Sequence, residues 1–124
     1  MIQLDTNFLI LAASAETPEA LALSRWLSEG EETSTSAIAW MEFITGPVSE
    51  PIIVATLQVI EDRIVSVDRE TAELAAKLLN QIGRKRTLRY DCLIAASSII
   101  SGAKLATTNR KDFERFTSFG LQLA

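Results

Sequence analysis

The chain has 124 residues, of which 48% are hydrophobic and 23% charged. These values indicate a single globular domain over residues 1–124 and exclude a disordered chain. The net charge of −4 argues against a protein that holds nucleic acid by long-range attraction alone. No apolar run approaches the roughly 20 residues that cross a bilayer, and no export signal precedes the first strand, so we expect a cytoplasmic protein with no membrane contact.

Short apolar runs alternate with segments of helical spacing along the chain. Strands are predicted at residues 2–4, 33–36, 64–67, 104–107 and 121–123. Helices are predicted at residues 5–13, 17–30, 37–45, 49–60, 68–83, 90–100 and 110–116. Side chains suited to cap a helix start, Thr17, Ser36 and Asp68, precede three of these helices. Because strands alternate with helices, we predict an α/β sandwich whose parallel sheet is covered on both faces.

Four carboxylates stand beside apolar residues or at the turn from strand to helix. Asp5 follows the first strand, Asp112 follows the strand at 104–107, and Glu42 and Asp91 lie on inward-facing helices. In open parallel sheets, ligand sites form at the carboxyl ends of the strands. Unbound acids gathered there would repel and raise one another's pKa values. A hard cation, Mg²⁺ or Mn²⁺, would relieve the repulsion and activate a water molecule for phosphate chemistry.

Each acid also has a purely structural interpretation. Asp5 could cap the first helix, Asp91 could cap the helix that follows it, and Glu42 could lie on a solvated helix face. Asp112 could pair with Arg115 or Lys111 on a surface turn.

Neutral and basic side chains flank the acids. Asn7 and either Thr107 or Thr108 could orient water or phosphate. Ahead of Asp91 runs a basic segment that contains no acid, and it is either a solvated loop or a local phosphate contact. Its charged members are Arg84, Lys85, Arg86 and Arg89.

Two further sets of residues are predicted to be structural. The single cysteine, Cys92, lies in an apolar helical run and reads as a small buried hydrophobic residue. Four large residues are expected in the core, although any exposed part of them would suit a partner helix lying in a groove. They are Trp26, Trp40, Met41 and Phe43.

Four segments in this order resemble the PIN-domain pattern and, more narrowly, the VapC-type toxins of toxin–antitoxin pairs. They are Leu4-Asp5-Thr6-Asn7, Glu42 after Ser36-Ala37-Ile38-Ala39, Asp91 with Cys-Leu-Ile-Ala-Ala, and Thr107-Thr108-Asn109 leading to Asp112-Phe113. The resemblance implies a three-layer α/β/α sandwich with a five-stranded parallel sheet, and a metal-dependent endoribonuclease that cuts RNA. Asp5, Glu42, Asp91 and Asp112 would hold Mg²⁺ or Mn²⁺, and Thr107 and Asn109 would support the site. The implied partners are a VapB-like antitoxin and a second copy of the chain.

The sequence departs from that pattern in two places, and other families fit it less well. Asn109 stands where many members carry Asp, and residues 100–103 lack a histidine often found there. A response-regulator receiver needs an acidic pair after its first strand, where Asp5 stands alone. A haloacid-dehalogenase-like phosphatase needs a second Asp where Asn7 stands. The remaining alternative is a PIN-like module that binds a partner without catalysis, although such a module should have lost an acid.

Overall fold

The centre of the protein is a five-stranded sheet in which all neighbouring strands are parallel. A computed structural model describes all residues 1–124. The strand order is β3-β2-β1-β4-β5, so the first strand lies in the middle of the sheet. The strands are β1 (Ile2–Leu4), β2 (Thr33–Ser36), β3 (Ile64–Val65), β4 (Lys104–Ala106) and β5 (Gln122–Leu123).

Seven α-helices connect and cover the strands. They are α1 (Thr6–Ala12), α2 (Pro18–Ser28), α3 (Ala37–Thr45), α4 (Glu50–Val59), α5 (Arg69–Gln81), α6 (Arg89–Ser101) and α7 (Arg110–Phe113). Two 3₁₀ helices, Arg86–Leu88 and Glu114–Phe119, precede α6 and follow α7. The three predicted caps are confirmed, since each side chain accepts a hydrogen bond from the backbone N–H three residues later.

The core divides into two clusters, one on each face of the sheet. Side chains alternate along a strand, so Ile2 and Leu4 pack against α1 and its neighbours while Gln3 points to α6. The opposite cluster is built from α5, α6 and the C-terminal segment around Phe113 and Phe116. Helices therefore cover both faces, which confirms the predicted α/β/α sandwich with five parallel strands.

Several predicted boundaries move in the structure. The third strand was expected to reach residue 67, but it ends at Val65. Its partner β2 stops at Ser36, where α3 begins, so no paired backbone remains for residues 66 and 67. The predicted helix at 110–116 is four residues of α-helix followed by a 3₁₀ helix that extends to Phe119.

The expected core residues separate by exposure. Cys92 is buried with 1% exposure, as predicted, and burial raises the pKa of its thiol to about 11. Phe43 is also in the core, whereas Met41 is 42% exposed. Trp26 is only partly buried and stacks on Phe8 with ring centroids 5.6 Å apart. None of the helices is both long enough and apolar enough to cross a membrane.

Candidate active site

Four helices present their acids at one edge of the sheet, where the strands end. Helices α1, α3 and α7 follow β1, β2 and β4, so they begin at the carboxyl ends of those strands. Helix α6 leads into the amino end of β4 and runs the opposite way, which brings its first turn to the same edge. Asp5, Asp91 and Asp112 lie at or beside these helix starts, and Glu42 lies one turn further along α3.

Asp5 is the most buried of the four acids, with 3% exposure. One carboxylate oxygen accepts a 2.8 Å hydrogen bond from the N–H of Phe8, which caps α1, and the other accepts one from the hydroxyl of Thr107. No cation lies within ion-pair distance of it. The pKa of Asp5 is raised to about 6. Burial is the largest cause, the hydrogen bonds from Thr107 and Phe8 act against it, and the charges of Asp91 and Glu42 act with it.

Thr107 links the end of β4 to the end of β1. Its hydroxyl donates to Asp5 and accepts a 3.0 Å hydrogen bond from the backbone N–H of Asn109. The hydroxyl proton is therefore directed at the carboxylate, because the backbone donor occupies the oxygen's other side. The supporting role predicted for Thr107 has a geometric basis here. Asn109 contributes through its backbone, and the neighbouring Thr108 is exposed.

Glu42 is held by a residue that the sequence reasoning did not assign to the site. The hydroxyl of Thr6 donates a 2.7 Å hydrogen bond to Oε1 of Glu42. Glu42 is half-buried, so the solvated-face interpretation does not describe it. The position of Thr6, directly after Asp5 at the strand end, was the only signal in the sequence that could have indicated this role.

The pKa of Asp91 is affected by the charges of two of the other acids. Burial raises its pKa first, the charges of Asp112 and Glu42 raise it further, and the nearby Arg115 lowers it. It does not cap its helix, because α6 begins at Arg89 and the residue before the helix makes no side-chain cap. The capping interpretation is therefore wrong for Asp91, and its carboxylate remains available for other contacts.

Asp112 is the outermost acid. Its side chain is 58% exposed and lies 3.9 Å from the guanidinium of Arg115. The surface pairing considered from the sequence is thus present, but the charge of Asp112 still acts on Asp91. Arg115 is a second residue that the sequence reasoning left outside the site. It places one positive charge beside two of the four acids.

The other predicted substrate-binding residues lie near the acids in the chain but do not bond to them. Asn7 is exposed in the first turn of α1 and its side chain makes no hydrogen bond. Arg84 donates to the side chain of Asn80 at 2.9 Å, and Arg86 begins the 3₁₀ helix that leads into α6. Both arginines are exposed.

The acids suit a hard, hydrated cation. As the side chains are placed, no three of them stand close enough together to enclose a metal ion. Mg²⁺ does not require such a cage, since it keeps several waters and binds through one or two carboxylates together with substrate phosphate. Oxygen donors without thiolate or imidazole favour Mg²⁺ or Mn²⁺ over softer metals. The buried, unpaired charge of Asp5 is the feature that such an ion would neutralise.

The sequence matches the model of the PIN domain family over residues 2–118. The chain therefore belongs to the PIN domain family. No curated protein matched the sequence.

Several solved structures similar to this chain are described as toxin–antitoxin or VapBC complexes. A toxin–antitoxin complex from Klebsiella pneumoniae contains a chain 26% identical, with a TM-score of 0.72 and coverage of 91% of this chain and 90% of that one. VapBC2 from Rickettsia felis, bound to a promoter DNA fragment, gives 24% identity, a TM-score of 0.72 and coverage of 100% and 98%. VapBC-1 from nontypeable Haemophilus influenzae gives 23% identity, a TM-score of 0.70, and coverage of 100% of this chain and 97% of that one. The last two likenesses concern the fold.

Proposed function

We propose that the protein is a Mg²⁺- or Mn²⁺-dependent endoribonuclease that hydrolyses RNA phosphodiester bonds. The observation that carries the proposal is Asp5, a buried carboxylate with no cation partner, in the electrostatic field of Asp91 and Glu42. Burying an unpaired charge is costly, so a fold that retains one at a strand end has a use for it. Membership of the PIN domain family supports a nuclease in particular.

In this proposal Asp5, Glu42, Asp91 and Asp112 hold the metal ion, either directly or through water. The ion supplies a water of lowered pKa and charge stabilisation at the phosphate. Thr107 keeps the Asp5 carboxylate in one orientation and lowers its pKa, which favours the ionised form needed for binding. Thr6 does the same positional work for Glu42 through its hydrogen bond.

Arg115 gives the site a charge of the opposite sign. Its guanidinium stands beside Asp112 and lowers the pKa of Asp91. In the proposed reaction it contacts the phosphate group that approaches the acids, because a guanidinium offers two parallel donors to phosphate oxygens.

We further propose that the ribonuclease is the toxin of a toxin–antitoxin pair in the cytoplasm. The chains of similar fold belong to complexes described as toxin–antitoxin or VapBC. A VapB-like antitoxin is then the partner, and a homodimer is the proposed assembly. Met41, which is 42% exposed on α3, is one apolar residue available for protein contact.

One observation favours a second candidate, a PIN-like module that binds a partner without cutting RNA. The acidic side chains do not form a closed metal cage. If the purified protein bound neither Mg²⁺ nor Mn²⁺, the fold would serve binding alone.

Cleavage of a long RNA by the purified protein separates the two candidates. The wild type should cut in the presence of Mn²⁺ or Mg²⁺ and stop when the metal is chelated. Asp5→Asn and Asp91→Asn should lose cleavage, whereas Asp68→Asn should retain it, because Asp68 caps α5 and has no role at the site. Cleavage by Asp91→Asn at the wild-type rate would refute the nuclease site. Mapping new RNA 5′ ends after induced expression of wild type and Asp5→Asn would then identify the target.

A further inference from the structure

The 3₁₀ helix Arg86–Leu88 and the first turn of α6 line a surface cavity of about 290 Å³. It is lined by Arg86, Thr87, Arg89 and Tyr90. We propose that this cavity binds one unpaired nucleotide, with its base stacked on Tyr90 and its phosphate held by the two arginines. The inference rests on the proposed ribonuclease function and names a substrate subsite for it.

Tyr90 provides a stacking surface. Its side chain is 48% exposed, and it takes no part in the aromatic pairs of the protein, which join Phe or Trp rings elsewhere. An aromatic ring left open to solvent in a cavity can stack on a nucleobase, since every base has a flat face. An isolated exposed tyrosine is ordinary, so the argument depends on what surrounds it.

The surrounding charges are positive and unpaired. Arg86 and Arg89 form no ion pair with any acid. Nε of Arg89 donates a 3.1 Å hydrogen bond to the backbone oxygen of Arg86, which fixes one arginine against the other. Four of the 12 lysines and arginines lie between residues 84 and 89, and no acid occurs between residues 74 and 90. In a chain with a net charge of −4, this is a concentrated site for an anion.

The position of the cavity connects it to the acids. Tyr90 directly precedes Asp91 in the first turn of α6, at the sheet edge where Asp5 ends β1. Adjacent residues of a helix do not face each other, so in this proposal the nucleotide lies at the same helix start as Asp91, and the strand that continues from it reaches the acidic group. Stacking on one ring requires a base that is free of its own stack and pair, so the cavity selects single-stranded segments or loops over duplex RNA.

The single tyrosine of the chain makes this inference directly measurable. Protein labelled with 3-fluorotyrosine carries one ¹⁹F nucleus, at Tyr90. We expect a metal-free titration with a 2′-O-methyl hexaadenylate, which is not cleaved, to shift the ¹⁹F resonance. An abasic oligomer of the same length, or inorganic phosphate, should bind without that shift. AMP should give the shift only at much higher concentration, and an equal response to AMP and the hexamer would reassign the cavity to a free nucleotide.

Variants test the same subsite by affinity for the fluorescein-labelled hexamer. Tyr90→Leu should weaken binding by about tenfold, a typical loss for one stacked base, while Tyr90→Phe should leave it unchanged. Phe119→Leu, at a partly exposed ring on the Glu114–Phe119 helix, is the matched control and should bind as the wild type. Arg89→Gln should reduce the dependence of log affinity on log salt by about 0.7, the share of one single-strand phosphate contact.

The inference is overturned if the hexamer fails to bind, or if it binds without a ¹⁹F shift and with equal affinity for Tyr90→Leu. These outcomes differ from failure of the proposed function, which is judged by metal-dependent cleavage of RNA by the wild type. A protein that binds the hexamer through Tyr90 but never cuts RNA would keep the subsite and lose the nuclease.

Discussion

The hydroxyl of Thr107 donates a hydrogen bond to the carboxylate of Asp5 across 102 positions of sequence. The same hydroxyl accepts the backbone N–H of Asn109, so one oxygen joins the ends of β1 and β4 to the turn that leads into α7. This contact lowers the pKa of Asp5, in opposition to burial. It therefore determines how readily the most buried acid of the site ionises.

Thr107→Val, which replaces the hydroxyl with a methyl group of similar size, should raise the pKa of Asp5 above its present value of about 6. It should also cost about 1–3 kcal/mol of unfolding free energy, since the N–H of Asn109 loses its partner. Carbon-13 NMR of the labelled carboxyl gives the pKa, and urea unfolding gives the stability. Thr107→Ser keeps the hydroxyl and serves as the control. A pKa equal to that of the wild type in the valine variant would remove Thr107 from the account of Asp5.

Asp5 and Asp68 form a matched pair of helix-capping aspartates with opposite electrostatics. Burial raises the pKa of Asp5 from 3.8 to about 6, whereas the hydrogen bonds from Thr71 lower the pKa of Asp68. Between pH 3.8 and about 6, the folded protein binds more protons at Asp5 than the unfolded chain does. The contribution of Asp5 to stability is therefore complete below pH 3.8 and is lost as the pH rises through about 6.

Asp5→Asn should consequently stabilise the metal-free protein at pH 8, by at most about 3 kcal/mol at about 1.4 kcal/mol per pKa unit. Asparagine can still accept the N–H of Phe8, so the cap survives. Asp68→Asn should have the opposite sign, because it removes a carboxylate whose ionised form is favoured in the fold. Thermal unfolding of both variants at pH 4 and pH 8 decides this. A loss of stability in Asp5→Asn at pH 8 would contradict the electrostatic account.

Thr6→Val tests the hydrogen bond that holds Glu42. We expect weaker Mn²⁺ binding by several-fold, because the freed carboxylate must be ordered when the ion binds. The effect on stability should be about 1 kcal/mol or less, as for a single partly exposed hydrogen bond. Titration of Mn²⁺ by electron paramagnetic resonance measures the Mn²⁺ affinity. Thr6→Ser should restore the wild-type affinity, and equal Mn²⁺ affinity in the valine and serine variants would make Thr6 irrelevant to the metal.

Arg115→Gln should affect Mn²⁺ binding and RNA cleavage in opposite directions. Removing the positive charge should raise the pKa of Asp91 further, since Arg115 now lowers it. At pH 8, Mn²⁺ should bind more tightly by a few-fold because a repelling charge is gone. RNA cleavage at saturating Mn²⁺ should nevertheless fall. Arg69→Gln, at a fully solvated ion pair on α5, is the control for a generic change of charge.

The sequence predicts what local chemistry determines. Helix starts at Thr17, Ser36 and Asp68 follow from a side chain that bonds the backbone three residues on, so they can be predicted from a few neighbouring residues. The α/β alternation can also be predicted from short stretches of sequence. The end of β3 cannot, because it depends on where its partner β2 turns into α3.

The parts of the site that escaped prediction are contacts between distant segments. Thr6 meets Glu42 across 36 positions, and nothing in the composition around either residue indicates the pairing. Arg115 was considered only as a surface partner of Asp112, since its effect on Asp91 depends on how the 3₁₀ helix Glu114–Phe119 packs against α6. The acids themselves were easier to find, because a carboxylate among apolar neighbours is unusual in any window.

The central position of β1 also has a consequence for biosynthesis. Asp5 leaves the ribosome before Thr107, which holds its carboxylate and is synthesised 102 residues later. Until β4 emerges and pairs with β1, the first strand lacks a neighbour on one side. The growing chain therefore cannot assemble its acidic group until both segments have left the ribosome, and whatever reaction the group performs is withheld from the nascent protein until then.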